Sequence, residues 1–377
     1  MNGYKICSRC IMDNISSPNI TFDDKGVCCY CNKYDDEVKL YGYKGQKSDN
    51  ELKQIVTEIK EFGKGKEYDC ILGISGGVDS AYIAYLAKKL DLRILAVHVD
   101  AGWNSDIAVN NIQKMCKKLN IDLHTIVCDW SAMKELQRAF MFSGLPDLDI
   151  PQDHAFLAGV YEYAKKNGIR YMLNGSNMAT EGILPENFGH LAIDFKFIKS
   201  VYKTCGRGMK IFDRYPHFNL FEYYHMQKTV QRVNLLNYIP YSQKEAIQTL
   251  QKEFDWNYYG GKHFESRFTK FFQSYYLTEK FHFDKKRAHL SSLIVGGEMT
   301  REEALKEIQD NSGYPMSQKL KDRDYIIQKL DISLDEWDEI MKAPIVSDNT
   351  YAGNEKIIKR LSQIKRKLFE SQREERR

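Results

Sequence analysis

Five of the nine cysteines fall within the first 31 residues, and four of these form two C-x-x-C pairs, Cys7/Cys10 and Cys28/Cys31, with 17 residues between the pairs. Each C-x-x-C turn aims two thiolates at one point, and two such knuckles close a tetrahedral four-sulfur shell suited to structural Zn2+. Gly26 suits the tight turn of the second knuckle, and Cys29 lies between ligands as a spectator. The competing chemistry is a redox pair, for which a single C-x-x-C would suffice. A closed shell of four cysteines leaves no open position for catalysis, so its expected role is to stabilise a short segment with almost no core of its own. A second constellation is Ser75-Gly76-Gly77-Val78-Asp79-Ser80, preceded by the apolar run YDCILGI and followed by SAYIAYLAKKL, which is helical in period. A glycine-rich turn between strand and helix presents backbone N–H groups and a helix N-terminus to a phosphate, while Ser75 and Ser80 add hydroxyls. It is not a Walker A loop, since no G-x-x-x-x-G-K-[ST] occurs. Asp79 tolerates a phosphate neighbour only with a cation such as Mg2+ between them.

These residues need elements to position them. Residues 33–67 are polar and Lys/Glu-rich and read as a linker plus one helix. Beyond the loop a β/α rhythm continues: RILAVHVD, a helix from about Asp106 to Leu119, DLHTIVCD, helices near Ala132–Phe142 and His154–Lys166, then RYMLNGS. Such alternation predicts an α/β fold, a doubly wound parallel sheet with helices on both faces, whose ligands bind at the strand C-terminal ends. Candidates at those ends are Ser75 to Ser80, Asp100 to Trp103, Asp129, and Gly175 to Glu181. Asp100 also reads as a helix cap or turn residue, and Glu181 as a solvated carboxylate. From Trp256 to His289 aromatics interleave with charge: Lys262 to His289 holds seven Lys/Arg against three acids, plus His263, His282 and His289. Three readings stay open for it: a pocket for an anionic substrate, an RNA contact through stacking, or a buried aromatic helix with its charges in solvent. TREEALKEI and SLDEWDEIMKAP read as amphipathic helices of a C-terminal lobe, and the expected division is 1–45, 46–250 and 251–377.

The S-G-G-x-D-S loop in this context resembles the pyrophosphate (PP) loop of the ATP pyrophosphatases, an adenine nucleotide alpha-hydrolase-like fold shared by GMP, NAD and asparagine synthetases and tRNA thiolases. YYGGKHFESRFTKFFQ, FDKKRAHLSSLI, SGGVDS and the two-knuckle N-terminus running into CIMD together resemble the N-acetyl sugar amidotransferases, which include the pseudaminic acid amidotransferases and their O-antigen counterparts. The likeness runs from Cys7 to about residue 310. It implies conversion of a sugar N-acetyl group to an acetamidino group in bacterial surface-glycan biosynthesis, with adenylation of the amide oxygen by ATP and attack by ammonia. ATP would be held by Gly73, Ser75, Gly76, Gly77, Asp79, Ser80, His98, Asp100, Gly175 and Asn177; Ser75, Asp79, Ser80 and Glu181 would act in catalysis, with an acidic residue on Mg2+. The sugar, carrying a carboxylate or nucleotide diphosphate, would meet some of Lys262, His263, Glu265, Arg267, Lys270, Lys285, Arg287 and His289.

Composition bounds the alternatives. Of 377 residues, 55 are Lys or Arg and 51 Asp or Glu, with 43% hydrophobic; this excludes disorder and collagen, and no run approaches a membrane span. With no export signal in MNGYKICSRC, a cytoplasmic protein without membrane contact is expected. Residues 356–377 carry nine Lys/Arg against three Glu, a local +6, leaving 4 − 6 = −2 on the rest, so no nucleic-acid partner is expected. Ile357, Ile358, Leu361, Ile364 and Leu368 make that tail an amphipathic helix, with an RNA or partner contact as the alternative. A tRNA thiolase is the rival function, but Cys128 and Cys205 form no C-x-x-C near the site; a non-enzymatic zinc-ribbon scaffold is the third. Asn2 follows the initiator Met and Cys205 has no clear His–Glu partner, so ammonia is expected from elsewhere. The resemblance implies a glutaminase chain like the histidine-biosynthesis amidotransferase, with a cyclase-like barrel as conduit.

Overall fold

The computed structural model describes residues 3–41, 49–310 and 312–374. Five strands, β1 (Cys70–Gly73), β2 (Ile94–Asp100), β3 (Asp122–Val127), β4 (Tyr171–Leu173) and β5 (Gln231–Val233), form one sheet in the order β3-β2-β1-β4-β5, with every pairing parallel. Parallel neighbours need long crossovers, supplied by helices such as Val78–Lys89, Asp106–Leu119, Trp130–Met141 and Ile150–Lys166. Alternate residues face opposite sides of the sheet. Ile71, Leu95, Val97, Val99 and Met172 pack with Leu136, Tyr161 and Ile198 on one side; Cys70, Leu72, Ile94, Ala96 and Leu173 pack with Ile59, Ile83, Met115 and Leu250 on the other. Both faces are therefore covered over β1, β2 and β4, as their apolar runs require, while edge strand β3 keeps no residue fully buried.

The chain steps from β1 outward to β2 and β3, then returns to place β4 and β5 on the other side of β1. That reversal opens a crevice between the C-terminal ends of β1 and β4, where Ser75–Ser80 and Gly175–Glu181 meet. Strand β5 was not anticipated; its QRV has too few apolar residues to signal a strand. The segment read as a linker plus one helix holds two helices, Cys29–Tyr41 and Asp49–Gly63. The first begins inside the second cysteine pair. The expected boundary at 45/46 lies outside the described residues. Across 250/251 packing is continuous: Phe268, Phe271, Phe272, Tyr276 and Trp337 join the core of the sheet's first face.

The C-terminal part is helical: Lys285–Gly296, Arg301–Glu307, Met316–Lys329, Leu334–Lys342 and Glu355–Glu374. The last helix carries the described part of the basic tail; it buries Ile358 and turns Lys359 to Glu186 (3.4 Å) and Arg366 to Glu37 (3.2 Å). Tail residues 375–377 lie outside the described set. No helix among the described residues is long and apolar enough to cross a membrane.

Candidate active site

Strand β1 ends at Gly73 and the next helix begins at Val78, with Gly77 as an N-cap that offers no side chain. The N–H groups of this turn are left to the loop itself. Ser75 Oγ accepts from the Gly77 N–H (3.2 Å), Ser80 Oγ accepts from the Ser75 N–H (3.3 Å), and the Tyr259 hydroxyl accepts from the Val78 N–H (3.0 Å). Gly76 sits at φ +80°, where a β-carbon would come within 2.6 Å of the Ala108 carbonyl oxygen. Only glycine satisfies both the left-handed backbone and that close approach to helix Asp106–Leu119. The loop after β4 closes the other wall: a β-carbon at Gly175 would meet Asp79 Cβ at 3.3 Å.

Two carboxylates converge on this turn. Asp79 accepts a hydrogen bond from the Tyr241 hydroxyl through one oxygen, and the other lies 3.1 Å from Lys262 Nζ. The same ammonium donates to Thr180 Oγ1 and Glu181 Oε1, both at 3.0 Å. Asn177 Oδ1 accepts from the Thr180 N–H (2.9 Å), capping the short turn Met178–Glu181 and so aiming Glu181. Burial alone would raise the pKa of Glu181, but Lys262 and then His263 outweigh it and hold it below the usual range. For Lys262, burial would lower the pKa, yet the charges of Asp79 and Glu181 raise it. Two hard oxygen donors that already converge on a cation fit a site for Mg2+, which takes a few carboxylates and completes its shell from phosphates and water.

At the end of β2, His98 Nδ1 donates to the Ile74 carbonyl (2.9 Å) and Nε2 accepts from Asn104 Nδ2 (3.0 Å), tying β2 to the phosphate loop. Asp100 Oδ1 accepts from the Gly102 N–H (2.7 Å) and Asn104 Nδ2 (2.9 Å), so this carboxylate shapes the turn, in line with the plainer of its two readings. Asn104 escaped the sequence reading because nothing local marks it; it matters through contacts made in three dimensions.

The basic-aromatic stretch divides. Arg267–Phe271 is α-helical and Phe272–Phe281 a π-helix, and Phe268, Phe271, Phe272, Tyr276 and Phe281 are buried, which is the aromatic core of the third reading; its charges are not left in solvent, since Lys280 is buried on the Ile340 carbonyl and Arg267 and Lys270 face the buried Asp322. Of the eight proposed sugar ligands, Lys262, His263, Glu265 and His289 come to the loop. Glu265 Oε1 would lie 2.9 Å from a β-carbon on Gly77. His289 donates through Nδ1 to the Thr180 carbonyl (3.3 Å), which leaves Nε2 as an acceptor; burial, then Lys262, pushes its pKa down to about 3, so it stays neutral. The structure does not bring Arg267, Lys270 or Arg287 there. Arg267 Nε donates to Asp322 (2.7 Å) and Lys270 lies 3.7 Å from the same carboxylate, while Arg287 binds Asp13 (3.3 Å) and the Ile11 carbonyl (2.7 Å). Lys285 instead lends its charge to the Asp149 and Asp153 carboxylates; burial, then the charge of Asp153, raises Asp149 well above the usual carboxylate range against that charge. This acidic group had no sequence signal.

All four knuckle cysteines are fully buried, with Cys7 and Cys31 sulfurs 3.9 Å apart and Cys10 and Cys28 sulfurs 3.7 Å apart. Tetrahedral Zn–S bonds of about 2.3 Å require S···S edges of about 3.8 Å, so the donor set fits zinc. Backbone N–H groups of Cys10 and Cys28 point at Cys7 Sγ (3.4 and 3.2 Å). The knuckle docks onto the C-terminal part: Arg301 donates to the carbonyls of Cys10 (3.0 Å) and Cys7 (3.1 Å), and Ile11 packs on Leu290 and Leu293, in the helix that carries His289. The cluster therefore braces one wall of the crevice.

With this geometry in hand, comparison with known proteins gives two family matches. Residues 49–214 match NAD synthase, and residues 265–365 match the C-terminal domain of the LPS biosynthesis protein WbpG-like family. A tRNA(Ile)-lysidine synthase of Chlamydia pneumoniae is 29% identical over 90 residues, covering 21% of this chain and 28% of that protein. A probable sulfurtransferase of Methanocaldococcus jannaschii is 29% identical over 119 residues, covering 28% of this chain and 35% of that protein. This chain thus spans about a third or less of the length of these curated relatives. Among solved structures, the NH3-dependent NAD synthetase from Campylobacter jejuni is 15% identical, with 78% of this chain and 96% of that one covered at a TM-score of 0.32.

Proposed function

We propose that this chain, whose residues 49–214 match NAD synthase and whose residues 265–365 match the WbpG-like C-terminal domain, is an ATP-dependent amidotransferase converting a sugar N-acetyl group to an acetamidino group. One observation carries the reading: the WbpG-like segment supplies Glu265 and His289 to the rim of the phosphate loop, so the family-specific part and the nucleotide part share one crevice. An amide oxygen is a poor leaving group. Its lone pair attacks the α-phosphorus of ATP, the α–β bridging bond breaks, and pyrophosphate leaves onto the loop between Ser75 and Ser80. Magnesium, when bound, supplies charge neutralisation on the phosphates. Asp79 and Glu181 would hold it, and the N–H groups at the start of helix Val78–Lys89 take up charge growing on the leaving oxygens. Neutral His289 can accept a hydrogen bond from the acetamido N–H or from incoming ammonia through Nε2 and so orient it. Ammonia then attacks the O-adenylated carbon and AMP departs, so no protein nucleophile is consumed.

The thiolase alternative needs a reactive thiol. Cys128, at the end of β3, is buried and its pKa is pushed up to about 12 by burial and then by Asp100, which speaks against that role. Cys205 ends helix Phe195–Cys205 with its sulfur 3.5 Å from the Tyr351 hydroxyl. Neither thiol is given a part in releasing ammonia, and that step is placed in a separate glutaminase chain with a cyclase-like barrel as conduit. The test is product analysis with ATP, Mg2+, ammonium at alkaline pH, and a panel of anionic N-acetylated sugars and nucleotide sugars. AMP, pyrophosphate and an amidated sugar are expected, with little turnover on glutamine until the partner chains are added. ADP and orthophosphate as products would refute the mechanism.

A further inference from the structure

We infer that residues 259–265 form a strap that holds the nucleotide site in a charge-swapped resting state, with Lys262 standing where the cation would sit and Tyr259 and Glu265 standing where phosphate oxygens would. The inference rests on the ATP reading of the loop. Three separate contacts, all from this segment, occupy the three working parts of that loop. The Tyr259 hydroxyl takes the Val78 N–H at 3.0 Å, one of the N–H groups at the helix N-terminus on which a phosphate would dock. The Glu265 carboxylate lies against Gly77, where a β-carbon would be 2.9 Å from Oε1, and its other oxygen is buried with no hydrogen-bond partner among the described residues. Lys262 bridges Asp79 and Glu181 at 3.1 and 3.0 Å, the pair suited to a divalent ion.

A buried carboxylate oxygen without a donor has lost its hydration with nothing in return, so Glu265 is a poor permanent lodger over the loop. Gly260 has φ +95° and His263 φ +61°, a left-handed conformation at a residue with a β-carbon. The segment's far end is pinned to the β2 side of the site, where the Ser105 N–H donates to the Glu265 carbonyl (2.9 Å), the Arg267 N–H donates to the Trp103 carbonyl (2.9 Å), and Asn104 pairs with Ser266. The strap therefore spans both halves of the nucleotide crevice. Entry of magnesium-ATP exchanges each stand-in for the group it imitates: the metal displaces the Lys262 ammonium from the acid pair, and phosphate oxygens displace Tyr259 and Glu265. Lys262 is then free to follow the negative charge onto the departing pyrophosphate.

The test uses the zinc-loaded full chain, with inorganic pyrophosphate and Mn2+ as probes. Glu265→Gln removes a charge that competes with the anion, and calorimetry should show pyrophosphate binding tightened by about fivefold or more, the effect of one like charge lifted from about 4 Å at high dielectric. Tyr259→Phe frees the Val78 N–H and should tighten it in the same direction. Without any phosphate, Lys262→Gln should acquire a Mn2+ site by electron paramagnetic resonance that the wild type lacks. If neither Glu265→Gln nor Tyr259→Phe binds pyrophosphate more tightly than wild type, or Lys262→Gln gains no Mn2+, the strap is wrong while the ATP reading stands. If wild type binds neither pyrophosphate nor ATP, the ATP reading itself fails.

Discussion

Gly76→Ala tests how the phosphate loop is held, and Gly65→Ala supplies its control. Both glycines are left-handed, at φ +80° and +77°, but a β-carbon at Gly65 meets nothing within 4 Å, whereas one at Gly76 lands 2.6 Å from the Ala108 carbonyl oxygen and 3.0 Å from the Ala108 Cα. The left-handed conformation costs a residue with a β-carbon about 1–2 kcal/mol, and both variants carry that cost. Only Gly76→Ala adds an overpacking term of about 1–3 kcal/mol, because helix Asp106–Leu119 offers backbone and not a flexible side-chain end. Urea unfolding should therefore show Gly76→Ala less stable than Gly65→Ala by about 1–3 kcal/mol. The clash is relieved by moving the loop, and a displacement of several tenths of an ångström to about 1 Å costs on the order of 100-fold in rate when it misplaces reacting groups. Gly65→Ala should retain pyrophosphate release from ATP and Gly76→Ala should lose it. Equal stabilities, or a Gly76→Ala enzyme of near wild-type rate, would refute the argument that loop and helix are in forced contact.

Other substitutions probe the supporting parts. Cys28→Ser should lower bound zinc from one per chain to nearly none by metal analysis, and hydrogen exchange should quicken in residues 285–296 as well as in the knuckle, since Arg301 and Ile11 couple the two. Arg267→Ala leaves Asp322, 2% exposed, with Lys270 at 3.7 Å and the Tyr314 hydroxyl at 2.8 Å; a loss of about 1–3 kcal/mol in stability is expected, with KM for the sugar unchanged, and a raised KM would return Arg267 to the substrate. Asp149, 5% exposed, has its folded pKa raised by burial and then by the charge of Asp153, so the folded protein holds the extra proton and stability falls as pH rises above the unfolded carboxylate value. Asp149→Asn should flatten that fall in urea unfolding across a pH series, and an unaltered profile would show that Asp149 titrates as an ordinary carboxylate.

What the sequence made legible was chemistry carried by residues close together along the chain. Two C-x-x-C pairs and Ser75–Ser80 hold most of their geometry within a few residues, so spacing alone points to a thiolate cage and a phosphate turn. The β/α alternation was equally readable through β4, because β1, β2 and β4 are apolar runs buried along their length and the helices between them bury an apolar face, although edge strand β3 keeps no residue fully buried; β5 was not, since QRV holds a single apolar residue. The stretch from Lys262 to His289 shows where composition stops discriminating. Positive charge and aromatic density looked uniform along it, yet Arg267, Lys270 and Arg287 neutralise buried or half-buried partners at Asp322 and Asp13, while Lys262 alone reaches Asp79 and Glu181, which lie 183 and 81 residues away. A lysine's partner is set by which acid the fold delivers to it, and that depends on the sheet reversal between β1 and β4. The reversal brings Asp79 and Glu181 together from different crossovers and leaves a concentration of negative charge that only a cation can relieve. Lys262 meets that need in the resting crevice, and the same need is what makes the crevice receptive to a metal-bound polyphosphate.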